Sequence, residues 1–104
     1  MNEFTAFILD QLREHLDVHE KRMFGGYGLY CEDIFFAIIS DDTLYFKINE
    51  KSKETYVQAG MKPFRASKKQ TLTSYYEVPA EILEDTEELA QWAGEAIEAQ
   101  IEHH

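Results

Sequence analysis

Hydrophobic positions near the start of the chain recur at three- and four-residue spacings. In NEFTAFILDQLREHLDV, Phe4, Ile8, Leu12 and Leu16 share a stripe, with Phe7 and Leu9 beside it. That period predicts an amphipathic helix, capped by Asn2 or Thr5. The period then changes. In MFGGYGLYCE, Tyr27, Leu29 and Cys31 alternate with Gly26, Gly28 and Tyr30, the two-residue repeat of a strand. Glu32 and Asp33 mark a tight turn. IFFAIIS, Ile34 to Ser40, is apolar on both faces, as a central strand is. A second turn, SDDT, leads into LYFKI, where Leu44, Phe46 and Ile48 alternate with Tyr45 and Lys47. Three strands joined by short turns predict an antiparallel meander.

The second half returns to helical spacing. NEKSKETYVQAG reads as a helix capped by Asn49 and ended by Gly60, with Tyr56, Val57 and Ala59 facing inward. MKPFRASKKQ is the most irregular stretch; Phe64 pins a short strand there, and the basic residues after it read as a loop. TLTSYYEV predicts a strand with Leu72, Ser74, Tyr76 and Val78 on one face. Pro79 suits the first turn of a short helix. Asp85 and Glu88 form a capping box for a last helix that carries Leu89, Trp92, Ala93, Ala96, Ile97 and Ile101 on one stripe. The order α-β-β-β-α-β(β)-α predicts a single two-layer α+β domain over residues 1–104, an antiparallel sheet with its helices on one face.

The chain has 104 residues, 44% of them hydrophobic and 13% aromatic. That is enough for one core, with Phe7, Phe24, Phe35, Phe36, Phe46, Phe64 and Trp92 as its large contributors. One cysteine, Cys31, excludes an internal disulfide and suits a reducing compartment. MNEFTAFILDQL lacks the basic start of a signal peptide, and the run Ile34–Ile39 is far shorter than a membrane helix. These readings predict a cytoplasmic protein that is not membrane-bound. The closing IEHH is either native or the remains of an affinity tag, so His103 and His104 receive no role.

Charge changes this picture locally. The formal net charge is −10, yet residues 47–69 hold 7 bases and only 2 acids, whereas residues 70–104 hold 9 acids and no base. Lys62, Arg65, Lys68 and Lys69 surround Phe64. Such a segment can contact phosphates or an acidic protein surface, or it can be a solvated loop paired with the acidic C-terminal helix. Nucleic acid is repelled by the chain as a whole.

Other motifs are weaker. Gly25, Gly26 and Gly28 give G-G-x-G followed by more strand, without the helix or the lysine that a phosphate loop requires. Glycines in a strand instead mark a bend or a close backbone approach. His15 and His19 are spaced i, i+4 on the first predicted helix, but no third metal ligand accompanies them. Cys31 lacks a general base in sequence and reads as a small buried hydrophobe. No catalytic residue, cofactor or metal site is predicted. The apolar strand Ile34–Ile39 leaves one sheet face to be covered by a terminus, a helix or a second subunit. Phe35, Ile39 and Tyr45 are the candidate contacts on it.

The stretches KRMFGGYGLYCEDIFFAIISDDTLYFKI, AGMKPF and SYYEVPAEILED resemble the TfoX N-terminal domain family. Its R-M-F-G-G-x-G-L-Y opening, FFA strand, LYxK strand and SYYxVP strand occur in that order from about Arg22 to Trp92. The resemblance implies an α+β domain of the order derived above. It also implies kinship with longer regulators of bacterial natural competence, which act with the transcription machinery and carry a second domain that this sequence does not include. It brings no catalytic residues.

Three functional readings follow. The first is a non-enzymatic regulatory or protein-interaction module, with a protein partner or a homodimer formed through the sheet. The second is a nucleic-acid-binding transcription accessory using the basic 62–69 segment. The third is a small-ligand protein or enzyme using Cys31 or a cleft beside the glycine strand.

Overall fold

A computed structural model of the chain describes residues 2–23 and 25–102. Phe24, His103 and His104 therefore lie outside the described residues. The elements are α1 (Glu3–Arg13), β1 (Val18–Met23), β2 (Gly26–Cys31), β3 (Ile34–Ser40), β4 (Thr43–Lys47), α2 (Glu50–Gln58), β5 (Pro63–Arg65), β6 (Thr71–Glu77), α3 (Ala80–Leu83) and α4 (Thr86–Glu102). The strands form one antiparallel sheet in the order β1-β2-β3-β4-β6-β5. One face of the sheet meets the helices. Ile8, Leu9 and Leu12 of α1, Tyr56 of α2 and Leu89, Ala93 and Ala96 of α4 pack there with Leu29, Phe36, Ala37, Ile39, Leu44, Phe46 and Tyr76. This is the two-layer α+β arrangement that the hydrophobic pattern predicts.

Local chemistry sets the element ends. Asn2 caps α1 by accepting from the Thr5 amide at 2.8 Å. Asn49 and Ser52 satisfy each other's amides at the start of α2. Asp85 accepts from the amides of Glu87 and Glu88 at the start of α4, which is the Asp85 half of the expected box. Asp41 and Asp42, both with left-handed backbone (φ 53° and 55°), make the two-residue hairpin between β3 and β4 that suits the twist of its strands.

Four departures from the pattern matter. First, α1 stops at Arg13, and Val18–Met23 forms an edge strand rather than more helix. Of these six residues only Val18 is buried. The strand is held by backbone pairing to β2, aided by Arg13, whose side chain donates to the Val18 carbonyl (3.0 Å) and pairs with Glu20 (3.0 Å). Second, α2 is anchored by Tyr56; Val57 and Ala59 are exposed, because Val57 lies about 100° round the helix from Tyr56 and Ala59 is the cap beyond the last helical residue, Gln58. Third, β6 is bulged. Pro63 pairs with Tyr76 and Phe64 with Leu72, so Thr73 to Tyr75 bow away from β5. Tyr76 stays in the core, while Leu72 joins Phe64 and Tyr75 around a hollow outside it. Fourth, Phe7 and Ile101 are exposed rather than buried.

Gly26 shows why a glycine is required in β2. A Cβ built there would run into the backbone carbonyl of Ile39, which cannot move without disturbing β3. Gly94 contrasts with it, since it sits inside α4 with open space where a Cβ would go. Gly26→Ala is expected to cost about 2 kcal/mol through overpacking. Gly94→Ala is expected to add roughly 0.5–1 kcal/mol by restricting the unfolded chain and favouring helix. Urea unfolding followed by circular dichroism should return these opposite signs; equal effects would refute the close approach at Gly26.

Candidate functional site: an aromatic hollow on the uncovered sheet face

Whether a residue of β3 faces the helices or the other side is decided by a register shift against β2. Leu29 pairs with Ala37, but the next residue, Tyr30, pairs with Phe35. Phe36 is the extra residue of a bulge. It turns into the core beside Ala37, fully buried and 5.9 Å from the Phe46 ring. Phe35 and Ile38 are left on the opposite face. Simple alternation groups Phe35, Ala37 and Ile39 together; the bulge separates them.

This face is largely aromatic. The Phe35 ring lies between those of Tyr30 (5.2 Å) and Tyr75 (5.7 Å), and Tyr45 packs on Phe64 at 4.7 Å. Such tilted pairs add attraction beyond area burial. Lys47 lies over the Tyr75 ring at 5.6 Å. Burial lowers the pKa of the Lys47 ammonium, and burial together with the nearby Tyr30 pushes the Tyr75 phenol up to about 12.

Between these groups lies a hollow of about 390 Å³, walled by Met23, Phe35, Ile38, Phe64, Leu72 and Tyr75, with Gly26, Ile39, Ser40, Ala66 and Gln70 completing it. Met23 and Phe64 belong to the two edge strands, β1 and β5. In a flat sheet these strands would stand about 24 Å apart. Their meeting around one hollow shows that the sheet curls, concave on the side away from the helices. Gly28 permits the curl locally. A Cβ there would lie 2.7 Å from Met23 Cε and 2.9 Å from Phe35 Cε1.

The predicted contact residues separate on this frame. Phe35 and Tyr45 lie on the uncovered face, beside Tyr30 and Tyr75 and against Phe64 respectively. Ile39 is corrected: its side chain is 2% exposed and belongs to the core, paired with Leu44. Ile38 is the β3 residue that takes its place. Nothing in the alternation reveals this, because the bulge changes the phase.

The basic segment is also divided. Lys62 precedes β5, Arg65 ends it, and Lys68 and Lys69 sit on the turn between β5 and β6, all exposed. That turn is built. The amides of Ala66 and Ser67 donate to the Gln70 carbonyl (3.0 and 3.2 Å), Ser67 Oγ accepts from the Lys69 and Gln70 amides, and the Arg65 guanidinium donates to the Lys68 carbonyl. Its two ends, Ala66 and Gln70, line the hollow, so the cations stand at its rim. Among the described residues the one ion pair is Arg13 with Glu20. The acidic C-terminal helix does not neutralise the loop.

His15 and His19 are not helical neighbours. His15 is in the turn after α1, and His19 is on β1 opposite Tyr30. Among the described residues no group of three His, Cys, Asp or Glu side chains could hold a metal ion, and no helix is long and apolar enough to cross a membrane. Cys31 is half-buried at the end of β2, against the core. Burial, reinforced by Glu32 and Asp17, raises its thiol pKa. Because thiolate is the reactive form, alkylation of Cys31 at neutral pH is expected to be several-fold slower than in the urea-unfolded chain. The rate should keep climbing with pH beyond the ordinary thiol range. Equal rates in both states, measured by mass spectrometry, would refute the suppression by burial, and a faster rate in the folded chain would show an activated thiol instead.

No curated protein matches the chain significantly. The family model described as the TfoX N-terminal domain matches residues 10–100. That span holds the whole sheet, the aromatic face and the basic turn, and the chain belongs to the TfoX N-terminal domain family.

Proposed function

We infer that this domain is a non-enzymatic regulatory module that works by protein contact, with the concave aromatic face of its sheet as the contact surface. The observation that carries the reading is the hollow itself. Large apolar side chains from four of the six strands, β1, β3, β5 and β6, converge on a face that none of the described helices covers, and sites of this volume and lining are the usual form of a binding pocket. Family membership supports a competence-regulator-like setting, and the raised thiol pKa of Cys31 speaks against nucleophilic chemistry.

Site-specific photocrosslinking in living cells tests it. A benzoylphenylalanine replacing Tyr45 is expected to capture one or a few discrete proteins. The same group replacing Gln91, exposed on α4, is expected to capture none of them. No adduct at position 45, or identical adducts at both positions, would remove the reading. Crosslinks to nucleic acid from position 45 would favour a transcription accessory that grips its template.

A further inference from the structure

We propose that the hollow and the basic turn form one composite site for a short acidic peptide segment of a partner protein, one that inserts a single large apolar side chain. The proposal rests on the protein-contact reading above and specifies its chemistry. Two independent observations meet here. One is shape: about 390 Å³ of space between Phe35, Ile38, Phe64, Leu72 and Tyr75 is more than twice the roughly 150 Å³ apolar cavity that holds a benzene ring, so a phenylalanine or leucine side chain enters without rearrangement. The other is charge. In a chain of net charge −10, Arg65, Lys68 and Lys69 are exposed with no carboxylate partner among the described residues, on the turn whose ends Ala66 and Gln70 wall the hollow.

Charge complementarity chooses the occupant. The cations at the rim attract an acidic segment, while the acidic remainder of the surface repels it elsewhere, so attraction is focused at this mouth. The apolar side chain then supplies the anchor, the usual division between a buried hot spot and a polar rim. A duplex or single strand of nucleic acid fits less well. Its phosphates would meet three or four cations set among the carboxylates of a strongly acidic chain, and the binding of nucleic acid draws on neutralising cations.

The probe is a fluorescein-labelled acidic heptapeptide with a central phenylalanine, titrated by anisotropy at low and at physiological salt. Binding is expected, weakening with salt. It is expected to fall more than about tenfold when serine replaces the phenylalanine, and by a similar factor in the Lys68→Glu, Lys69→Glu double variant. Because both variant positions lie on the exposed turn, the fold is preserved. Amide chemical shifts of the unaltered protein give a second readout that needs no variant. They should move at Phe35, Ile38, Phe64 and Leu72 with the phenylalanine peptide and only around Lys68 and Lys69 with the serine peptide.

Equal affinity for both peptides would reduce the site to general charge attraction and overturn the proposal. So would no binding at all, or tighter binding of a single-stranded oligonucleotide of equal charge that the double variant abolishes. A concentration-dependent dimer in sedimentation that the double variant dissolves would place a second copy of the chain on this face, again overturning it. If the peptide fails while crosslinking from position 45 still captures a protein, the contact surface stands and only the assigned partner chemistry falls.

Discussion

One extra residue in β3 sets the character of the domain. Ile34 to Ile39 are all apolar, so composition alone would let either set of side chains face the helices. The bulge opposite Leu29 and Tyr30 settles the choice. It sends Phe36 and Ala37 together into the core and leaves Phe35 and Ile38 on the other side. Fully burying a side chain of this size contributes roughly 1.5–3 kcal/mol, a large fraction of the stability of a small domain. The same geometric event that completes the core therefore fills the opposite face with rings. Neither layer could be altered independently of the other.

Curvature follows from the glycines and makes that face concave. Without side chains at Gly26 and Gly28, β2 lies close to β3, and Met23 folds over it towards Phe35. At the far side, the bow in β6 swings Leu72 and Tyr75 towards the same centre. Two irregularities far apart in sequence thus build opposite walls of one hollow. The ordered turn at 66–70 then fixes where the positive charge stands relative to it.

Much of the fold is legible in the sequence because the core elements carry strong periods. Ile8 and Leu12, the Asn2 and Asn49 caps, the Asp41–Asp42 turn and the β3–β4 hairpin all follow from local pattern. What is not legible has a common physical cause. β1 contributes one buried side chain, Val18, so it leaves no hydrophobic signature; pairing with β2 makes it a strand, and the chain before it reads as more helix. The assignment of Ile39 to the free face fails because a bulge shifts phase without altering residue types. Phe35, Tyr45 and the basic residues are visible as candidates, yet their convergence is not, since the curl that joins them is a property of the whole sheet.

The two edges of the sheet carry a further consequence. A protein that keeps an aromatic sheet face uncovered runs the risk of recruiting other chains strand by strand into fibrous aggregates. Here β5 offers a free edge of only three residues, the first of them Pro63, which has no amide hydrogen to donate. β1 places Glu20, Lys21 and Arg22 along its length, charges that oppose the close approach of a neighbouring strand. Both ends of the sheet thereby disfavour extension. The edges therefore work against strand-by-strand association while the aromatic face stays open to side-chain contact.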